Sequence, residues 1–268
     1  MGTRIPAIAA ALLLCLGCTY VPTASLHYDP AVVDTHAPSD ARLAVLPLVE
    51  ARAPKRYPGL QGHLFKTYIP LLPYVKVSYE RLDESYMRNR RNLGESPSPS
   101  EHFTVAIAAE IARDLRESGL FHEVHFTPDP AIAASYDLVL AGTLRSTEFD
   151  IYATSYMLGA PGVLLWFLPI PLGKDEATVA VDLELRNAAG SPLWSHSFEE
   201  RASRLFTLYN SSGGSTSSRY RVEIKRYGSN PIGIDGDSVW AYHAEALRRG
   251  MAGVKGSLAT ALPAMPAQ

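Results

Sequence analysis

The sequence predicts an α/β fold, with a mixed sheet, flanking helices and a C-terminal helix. Three observations predict it. Residues 42–51, RLAVLPLVEA, form a continuous apolar run of the kind found in strands covered on both faces. Residues 98–119 have the period of an amphipathic helix, and residues 177–201 alternate apolar and polar side chains, as in a hairpin with one face in water. At 268 residues and 47% hydrophobic composition, the chain is long enough to bury a substantial core.

The first residues have the pattern of a secretory signal. Arg4 precedes an apolar stretch at residues 7–16, which is shorter than the roughly 20 residues that a spanning helix needs. The end of the stretch, where Gly17 precedes Cys18, resembles a bacterial lipobox. This resemblance implies that residues 1–17 are removed and that Cys18 is acylated; an ordinary signal peptide is the alternative. Thr19 in place of aspartate then implies the outer membrane, with the protein anchored on its periplasmic face.

Residues 18–40 contain three prolines and lack an amphipathic period, which predicts an extended tether. Fully stretched, such a segment reaches about 70 Å at about 3.3 Å per residue. The folded part is expected to be a single α/β domain over residues 41–262, with a tail at residues 263–268.

The elements of this domain follow in order. The strand at residues 42–51 precedes a helix for which Ser98 and Glu101 form a capping box, and Gly119 ends that helix. Residues 121–129 predict a second strand, residues 130–135 a short helical turn and residues 137–146 a third strand.

The C-terminal half predicts a hairpin and a long helix. Turn residues 187–191 separate the two strands of the hairpin. The last helix covers residues 239–262, and Gly250, Gly253 and Gly256 weaken it at about 1 kcal/mol each. We therefore expect it to pack closely on the sheet.

This order of elements resembles that of Gram-negative envelope proteins sharing the fold of the TolB N-terminal domain, similar to LpoB, PelC and the periplasmic part of CsgG. The residues carrying the resemblance are RLAVLPLVEA, DLRESGLF and YDLVLAGTL, at residues 42–51, 114–121 and 136–144. They are apolar patterns that build a fold and do not mark a site. The resemblance implies a non-enzymatic accessory or scaffold role in envelope assembly or secretion.

Motifs for nucleotide, zinc-protease or serine-hydrolase chemistry are absent from the sequence, so we expect no enzyme and no cofactor. His122 and His125 point to opposite faces if they lie on a strand, which argues against a metal site. His196 is expected to be a packed histidine, and acidic pairs such as Asp83 with Glu84 are expected to be solvated. With a net charge of −2, the chain has no general attraction to nucleic acid.

The insertion at residues 51–97 interleaves tyrosine with lysine and arginine. Such a loop either drapes over the sheet, tucking its tyrosines against it, or offers a surface to a partner or to lipid headgroups. Loops of this length without regular structure are uncommon unless they have a function.

The uncharged stretch at residues 158–173 contains three prolines, which exclude a spanning helix because the longest proline-free piece is about 10 Å of helix. It predicts a compact apolar loop, serving either as a lid on the core or as a contact surface. The contact could be with the bilayer or with other copies of the protein. The predicted contact residues are Leu164, Leu165, Trp166, Phe167, Leu168 and Ile170.

Two functions of different classes follow from the sequence. The first is the lipid-anchored accessory protein, with the outer membrane, a homo-oligomer or an envelope-assembly protein as partner. The alternative is a carrier that shields a lipid or other apolar ligand under the loop and the insertion. A hydrolase without a short motif is a third, weaker option.

Overall fold

The computed structural model describes residues 26–30, 39–54, 74–84, 87, 91, 94, 96, 102–158, 160–206 and 236–264. The strands in these ranges are β1 (Ser39–Val45), β2 (Val49–Glu50), β3 (Tyr74–Tyr79), β4 (Phe121–Phe126), β5 (Leu138–Ser146), β6 (Phe149–Thr154), β7 (Gly173–Asn187) and β8 (Pro192–Phe206). The α-helices are α1 (Phe103–Glu117), α2 (Pro130–Ala133) and α3 (Gly236–Ala261), and 3₁₀ turns lie at Ala160–Phe167 and Leu262–Ala264. The predicted α/β class is confirmed.

All eight strands join one mixed sheet. β1 lies parallel between β4 and β5, and β2 continues the pairing of β1 with β5. β5 and β6 follow one another along one edge of β7, antiparallel to it, while β8 pairs with the other edge along its length. β3 pairs antiparallel with β6. The loop between β6 and β7 therefore lies at one end of the sheet, and the β7–β8 turn lies at the other.

The core lies between this sheet and the two long helices, which pack on the same face. One row of side chains crosses the sheet through Val45, Leu140, Leu185 and Trp194. On α1, Phe103, Ile107, Ile111 and Leu115 are fully buried, as their spacing predicts. The opposite face of the sheet, called the open face below, carries charged pairs such as Arg145 with Asp182.

The hairpin and the second and third strands agree with the sequence prediction, although β7 and β8 extend further than predicted. Gly190 takes a φ of 81° in the turn, which glycine adopts without strain. The prediction that α3 packs closely on the sheet holds at Gly250, where an added Cβ would lie 2.3 Å from the ring of Phe198. An added Cβ at Gly256 meets nothing within 4 Å.

The predicted start of α1 was wrong. The helix begins at Phe103, and its N-cap residue His102 makes no side-chain cap. The Phe103 N–H instead donates to the carboxylate of Asp83 at 3.0 Å. Ser98 and the other residues of the expected capping box lie outside the described residues.

The predicted tether was also wrong in part, because residues 26–30 belong to the folded domain. Leu26 and Tyr28 are 2% and 0% exposed and join the main core. Burial, together with the neighbouring Asp114, raises the pKa of the Tyr28 phenol well above its ordinary value, so the hydroxyl remains a hydrogen-bond donor. Ser39 and Asp40, also in the expected tether, begin β1. The rest of the expected tether, with Cys18, lies outside the described residues.

The insertion at residues 51–97 contributes a strand that the sequence did not predict. β3 adds to the sheet beside β6. Residues 52 and 80–84 pack near the start of α1, where Arg52 and Asp83 are buried. Residues 55–73, with two of the insertion's tyrosines, lie outside the described residues.

Candidate functional site

The loop between β6 and β7 is held as a closed unit. We call residues 155–158 and 160–172 the apolar tip. At its base the Thr154 N–H donates to the carbonyl of Leu172 at 2.9 Å. The hydroxyl of Tyr156 donates to the carbonyl of Pro171, which joins the two legs of the loop a second time. The tip is therefore fixed at its base by hydrogen bonds on both legs.

The backbone of the apolar tip is strained. Tyr156 and Met157 have φ values of 58° and 63°, in the left-handed region that costs a non-glycine residue about 1–2 kcal/mol. Gly162 approaches the backbone so closely that an added Cβ would lie 1.8 Å from the carbonyl oxygen of Ser155. Strain of this kind persists where the surrounding structure imposes it, often at ligand-binding segments. The sequence thus builds one defined loop conformation.

This conformation presents large apolar side chains to solvent. Met157 is 77% exposed, Leu164 70% and Phe167 63%, and Leu158 and Leu168 are also exposed. Leu165 and Ile170 are half-buried, and the side chain of Trp166 lies outside the described residues. Leu164, Phe167 and Leu168, among the six predicted contact residues, are thus placed on the surface. Exposed large apolar side chains that are concentrated on one loop are typical of contact surfaces in soluble proteins.

A polar row crosses the open face next to the apolar tip. Lys76, Tyr152 and Lys174 are register neighbours on β3, β6 and β7. The two ammonium groups lie 5.3 Å and 5.8 Å from the centre of the Tyr152 ring, within cation–π range. Lys76 also bonds Asp150 at 2.8 Å, and this bond raises the pKa of the lysine above its ordinary value. The open face therefore places an aromatic ring, three residues before the apolar tip begins, between two lysines.

Asp175 occupies the other face of the same region. It is half-buried on β7, opposite Ile151 on β6 and Arg204 on β8. Burial raises its pKa to about 6, although the charge of Arg204 acts in the opposite direction. The carboxyl therefore changes its charge in mildly acidic solution. No pattern in the sequence indicates this, because the burial depends on strands that pair with β7 from elsewhere in the chain.

The histidines do not form a metal site within the described part of the chain. His122 and His125 are exposed on the edge strand β4, and His125 pairs with Glu123 at 2.7 Å. Among the residues described, no three potential ligands from histidine, cysteine, aspartate and glutamate come together. His196 stacks on Trp194 with the rings 5.7 Å apart, as expected of a packed histidine.

The expectation that Asp83 is solvated was wrong. Its carboxylate and the guanidinium of Arg52 are both fully buried, 2.8 Å apart. Arg52 uses all its donors, because it also bonds Glu50 at 2.6 Å and the Thr147 hydroxyl at 2.8 Å. Burial alone would lower the pKa of Arg52, but the bonds to Glu50 and Asp83 raise it above its ordinary value. A saturated cluster of this kind supports the fold and leaves no donor of the guanidinium for a substrate.

No helix in the described ranges has the length and apolar character needed to cross a bilayer.

Solved structures that are similar to this chain include three at low identity. The PelC dodecamer from Paraburkholderia phytofirmans is 14% identical with a TM-score of 0.29, and the match covers 81% of this chain and 92% of that chain. A homologue of the neuraminyllactose-binding hemagglutinin from Helicobacter pylori is 10% identical, with a TM-score of 0.33 and coverage of 86% and 92%. A lipoprotein from Neisseria meningitidis is 18% identical, with a TM-score of 0.21 and coverage of 66% and 88%.

No family model and no curated protein matches the chain. At TM-scores below 0.5, the three likenesses assign neither a family nor a function. The function of this chain has to be inferred from its own geometry.

Proposed function

We propose that this protein is a lipid-anchored envelope protein with a non-enzymatic accessory role, and that its apolar tip rests in the bilayer that holds its anchor. The observation that carries the proposal is the exposure of Met157, Leu164 and Phe167 on a loop that is closed at its base. An accessory role is what the resemblance to the TolB-type lipoproteins implies.

The first support for contact with the bilayer is the short stretch of chain between the proposed anchor, Cys18, and the folded domain. Leu26 is buried in the domain, so only residues 19–25 separate it from Cys18. Whatever their conformation, they span at most about 26 Å. An acylated Cys18 would keep the domain beside the membrane, where a weak apolar contact becomes effectively intramolecular.

The second support is the chemistry next to the tip. Aromatic rings and lysines are enriched at the level of lipid headgroups, beyond an apolar segment that enters the acyl region. Tyr152 between Lys76 and Lys174 has this composition. Because Asp150 and Glu176 pair with the two lysines, the row adds little net charge. We therefore expect binding to depend mainly on apolar burial and only weakly on anionic lipid.

The free energy of burying the apolar side chains of the tip is large enough for a bilayer contact when the protein is also anchored. Full burial of a leucine- or phenylalanine-sized side chain contributes about 1.5–3 kcal/mol. Two or three such side chains would make a weak contact in isolation. Attachment through Cys18 would raise its occupancy by increasing the local concentration of the tip at the bilayer.

The anchor is tested by labelling cells with a fatty acid that carries a detectable group. Label on the wild-type protein and its loss in Cys18→Ala would support acylation at that residue. Label that persists in Cys18→Ala would refute it.

The tip is tested without the anchor. The chain from residue 18 onward, with Cys18→Ser, is mixed with phosphatidylethanolamine–phosphatidylglycerol vesicles and sedimented. Leu164→Asp with Phe167→Asp should reduce the bound fraction at least fivefold. Ile132→Asp is the matched control, because Ile132 is 53% exposed on α2, away from the tip.

The same samples decide between occupants. If the double variant loses a dimer or a larger assembly by light scattering while its vesicle binding stays unchanged, the tip contacts a second copy. Native mass spectrometry of protein extracted from its own membrane tests the carrier function, for which a co-purifying apolar molecule would be evidence.

A further inference from the structure

The described part of the N-terminal segment binds both long helices through one buried carboxylate. The hydroxyl of Tyr28 donates to Oδ2 of Asp114 at 2.8 Å, and Nζ of Lys255 donates to Oδ1 at 2.7 Å. Asp114 lies on α1 and Lys255 on α3, and both side chains are fully buried. Tyr28 thus joins a charge pair that links the two helices.

A second set of contacts holds the segment from its outer side. Arg113 lies over the Tyr28 ring at 5.5 Å and donates to the Tyr28 carbonyl. Glu110 bonds Arg113 at 2.6 Å and His27 at 3.1 Å. The Arg113 and Glu110 side chains are 19% and 11% exposed, so this part of the contact is mostly buried but reaches solvent at its edge.

We propose that residues 26–30 are a clasp that sets how far the domain can move from its membrane anchor. With the clasp closed, the span from Cys18 to Leu26 is at most about 26 Å. With the clasp open, the upper limit is set instead by the chain between Cys18 and Ser39, where β1 begins, and is about 70 Å. The two states differ by the release of a few side chains, because the sheet does not include residues 26–30.

The contacts favour a separable unit. Within the described part of the chain, residues 26–30 pair with no strand, and their contacts there include the side chains of Leu26, His27 and Tyr28 together with the Tyr28 carbonyl. When Tyr28 leaves, Asp114 keeps Lys255 as its partner, so opening the clasp does not leave a buried charge without a counterion. The outer contact with Arg113 is accessible from solvent, where a partner or a force on the anchor would act.

The effect of the clasp on the distance between the domain and the membrane rests on the proposed anchor at Cys18. The clasp itself does not depend on that anchor. The first experiment therefore uses the unanchored chain from residue 18 onward with Cys18→Ser. Amide hydrogen exchange is measured for Tyr28→Ala and for Arg113→Gln. We expect exchange in residues 26–30 to rise at least tenfold in both variants, while β7 keeps its protection. Tyr136→Ala, a tyrosine outside the clasp, should leave both regions unchanged.

If Tyr28→Ala unfolds the whole domain, Arg113→Gln decides, because that substitution leaves the buried Asp114–Lys255 pair intact. Unchanged exchange in residues 26–30 of Arg113→Gln would overturn the proposal. So would an equal rise throughout the sheet, since the segment would then open only when the whole domain unfolds.

The second experiment measures reach. The chain is attached by an N-terminal hexahistidine tag at residue 18 to nickel-chelating lipid, and Ala188→Cys in the exposed β7–β8 turn carries a donor dye. Leu164→Asp with Phe167→Asp is present in every sample, so that only the attachment sets the distance. Energy transfer to acceptor lipid should fall when Tyr28→Ala is added. Equal transfer with and without Tyr28→Ala would show that the clasp does not limit reach, whatever the result for the tip.

Discussion

Arg52 and Asp83 form a two-point ion pair that also determines where α1 begins. Nη1 and Nη2 of Arg52 lie 2.8 Å and 3.1 Å from the two carboxylate oxygens of Asp83, and Oδ2 also accepts the N–H of Phe103. A residue of the long insertion thus supplies the cap that the sequence next to the helix does not. The pair connects the insertion, the first helix and, through Thr147, the β5–β6 junction.

Asp83→Ala should destabilise the domain by about 3–5 kcal/mol, because removal of one partner leaves the buried guanidinium partly uncompensated. Urea unfolding followed by circular dichroism measures the change. Asp137→Ala is the control, because Asp137 forms an exposed pair with Arg42 and its loss should have little effect. Equal losses in the two variants would contradict the role assigned to the buried pair.

The stability of the domain should depend on Asp175 between pH 4 and pH 6. Its pKa is about 6 in the folded state against an ordinary 3.8, so the folded state holds the proton more tightly. The stabilisation is fully present below pH 3.8 and is lost as pH rises through 6. A two-unit shift corresponds to at most about 2.7 kcal/mol, reduced here by partial exposure.

Asp175→Asn should remove that part of the pH dependence and stabilise the domain at pH 7. Urea midpoints at half-unit intervals from pH 4 to pH 7 test this. A slope that is unchanged in Asp175→Asn would show that another group is responsible.

Two glycines of α3 should respond in opposite directions to alanine. Gly256→Ala should stabilise the domain by about 0.5–1 kcal/mol, since alanine favours the helix and space is open there. Gly250→Ala should destabilise it by about 1–3 kcal/mol, because the new methyl group overlaps the Phe198 ring. Thermal unfolding of the two variants provides the comparison. A gain in melting temperature for both would mean that α3 is not packed closely on β8 at Gly250.

The apolar tip should contribute little to stability. Leu164→Asp with Phe167→Asp should change the free energy of unfolding by no more than about 0.5 kcal/mol per site, as at other exposed positions. Phe149→Ala, at a buried ring on β6, should cost about 3–5 kcal/mol. If the tip variant loses as much as Phe149→Ala, the loop is part of the core and the contact function is wrong.

Local patterns in the sequence predict a helix or strand correctly where its form depends on residues close to it in the chain. The four-residue spacing of Phe103, Ile107 and Ile111 marks a helix face, and the alternation in β7 marks a strand with one wet side. Gly119 ends α1 with a φ of 68°, as expected. These features depend on neighbours within a few residues.

Features that depend on distant partners were not predictable. Asp83 caps a helix that begins 20 residues later. The residues just before the helix favour Ser98 as the cap, because a local pattern does not show a partner so far away. β3 lies among tyrosines and arginines that are typical of a loop. Its residues pair with residues of β6 that are 70 or more positions later in the chain. Tyr28 lies in a segment with the composition of a linker, and its hydrogen-bond partner, Asp114, is 86 residues distant along the chain. Composition alone does not show whether Leu164 and Phe167 are exposed or buried; the structure shows that both are exposed.

The position of α3 at the end of the chain determines the order in which the core is completed. Synthesis proceeds from the N-terminus, so the sheet is finished before Trp240 is available to cover Phe103, at a ring separation of 4.3 Å. Asp114 likewise lacks its ion-pair partner until Lys255 has been synthesised. A nascent chain that stops before residue 236 would therefore lack the helix that packs on β7 and β8, although α1 would already be present to pack on β1 and β4. Apolar surface exposed during that interval would favour aggregation.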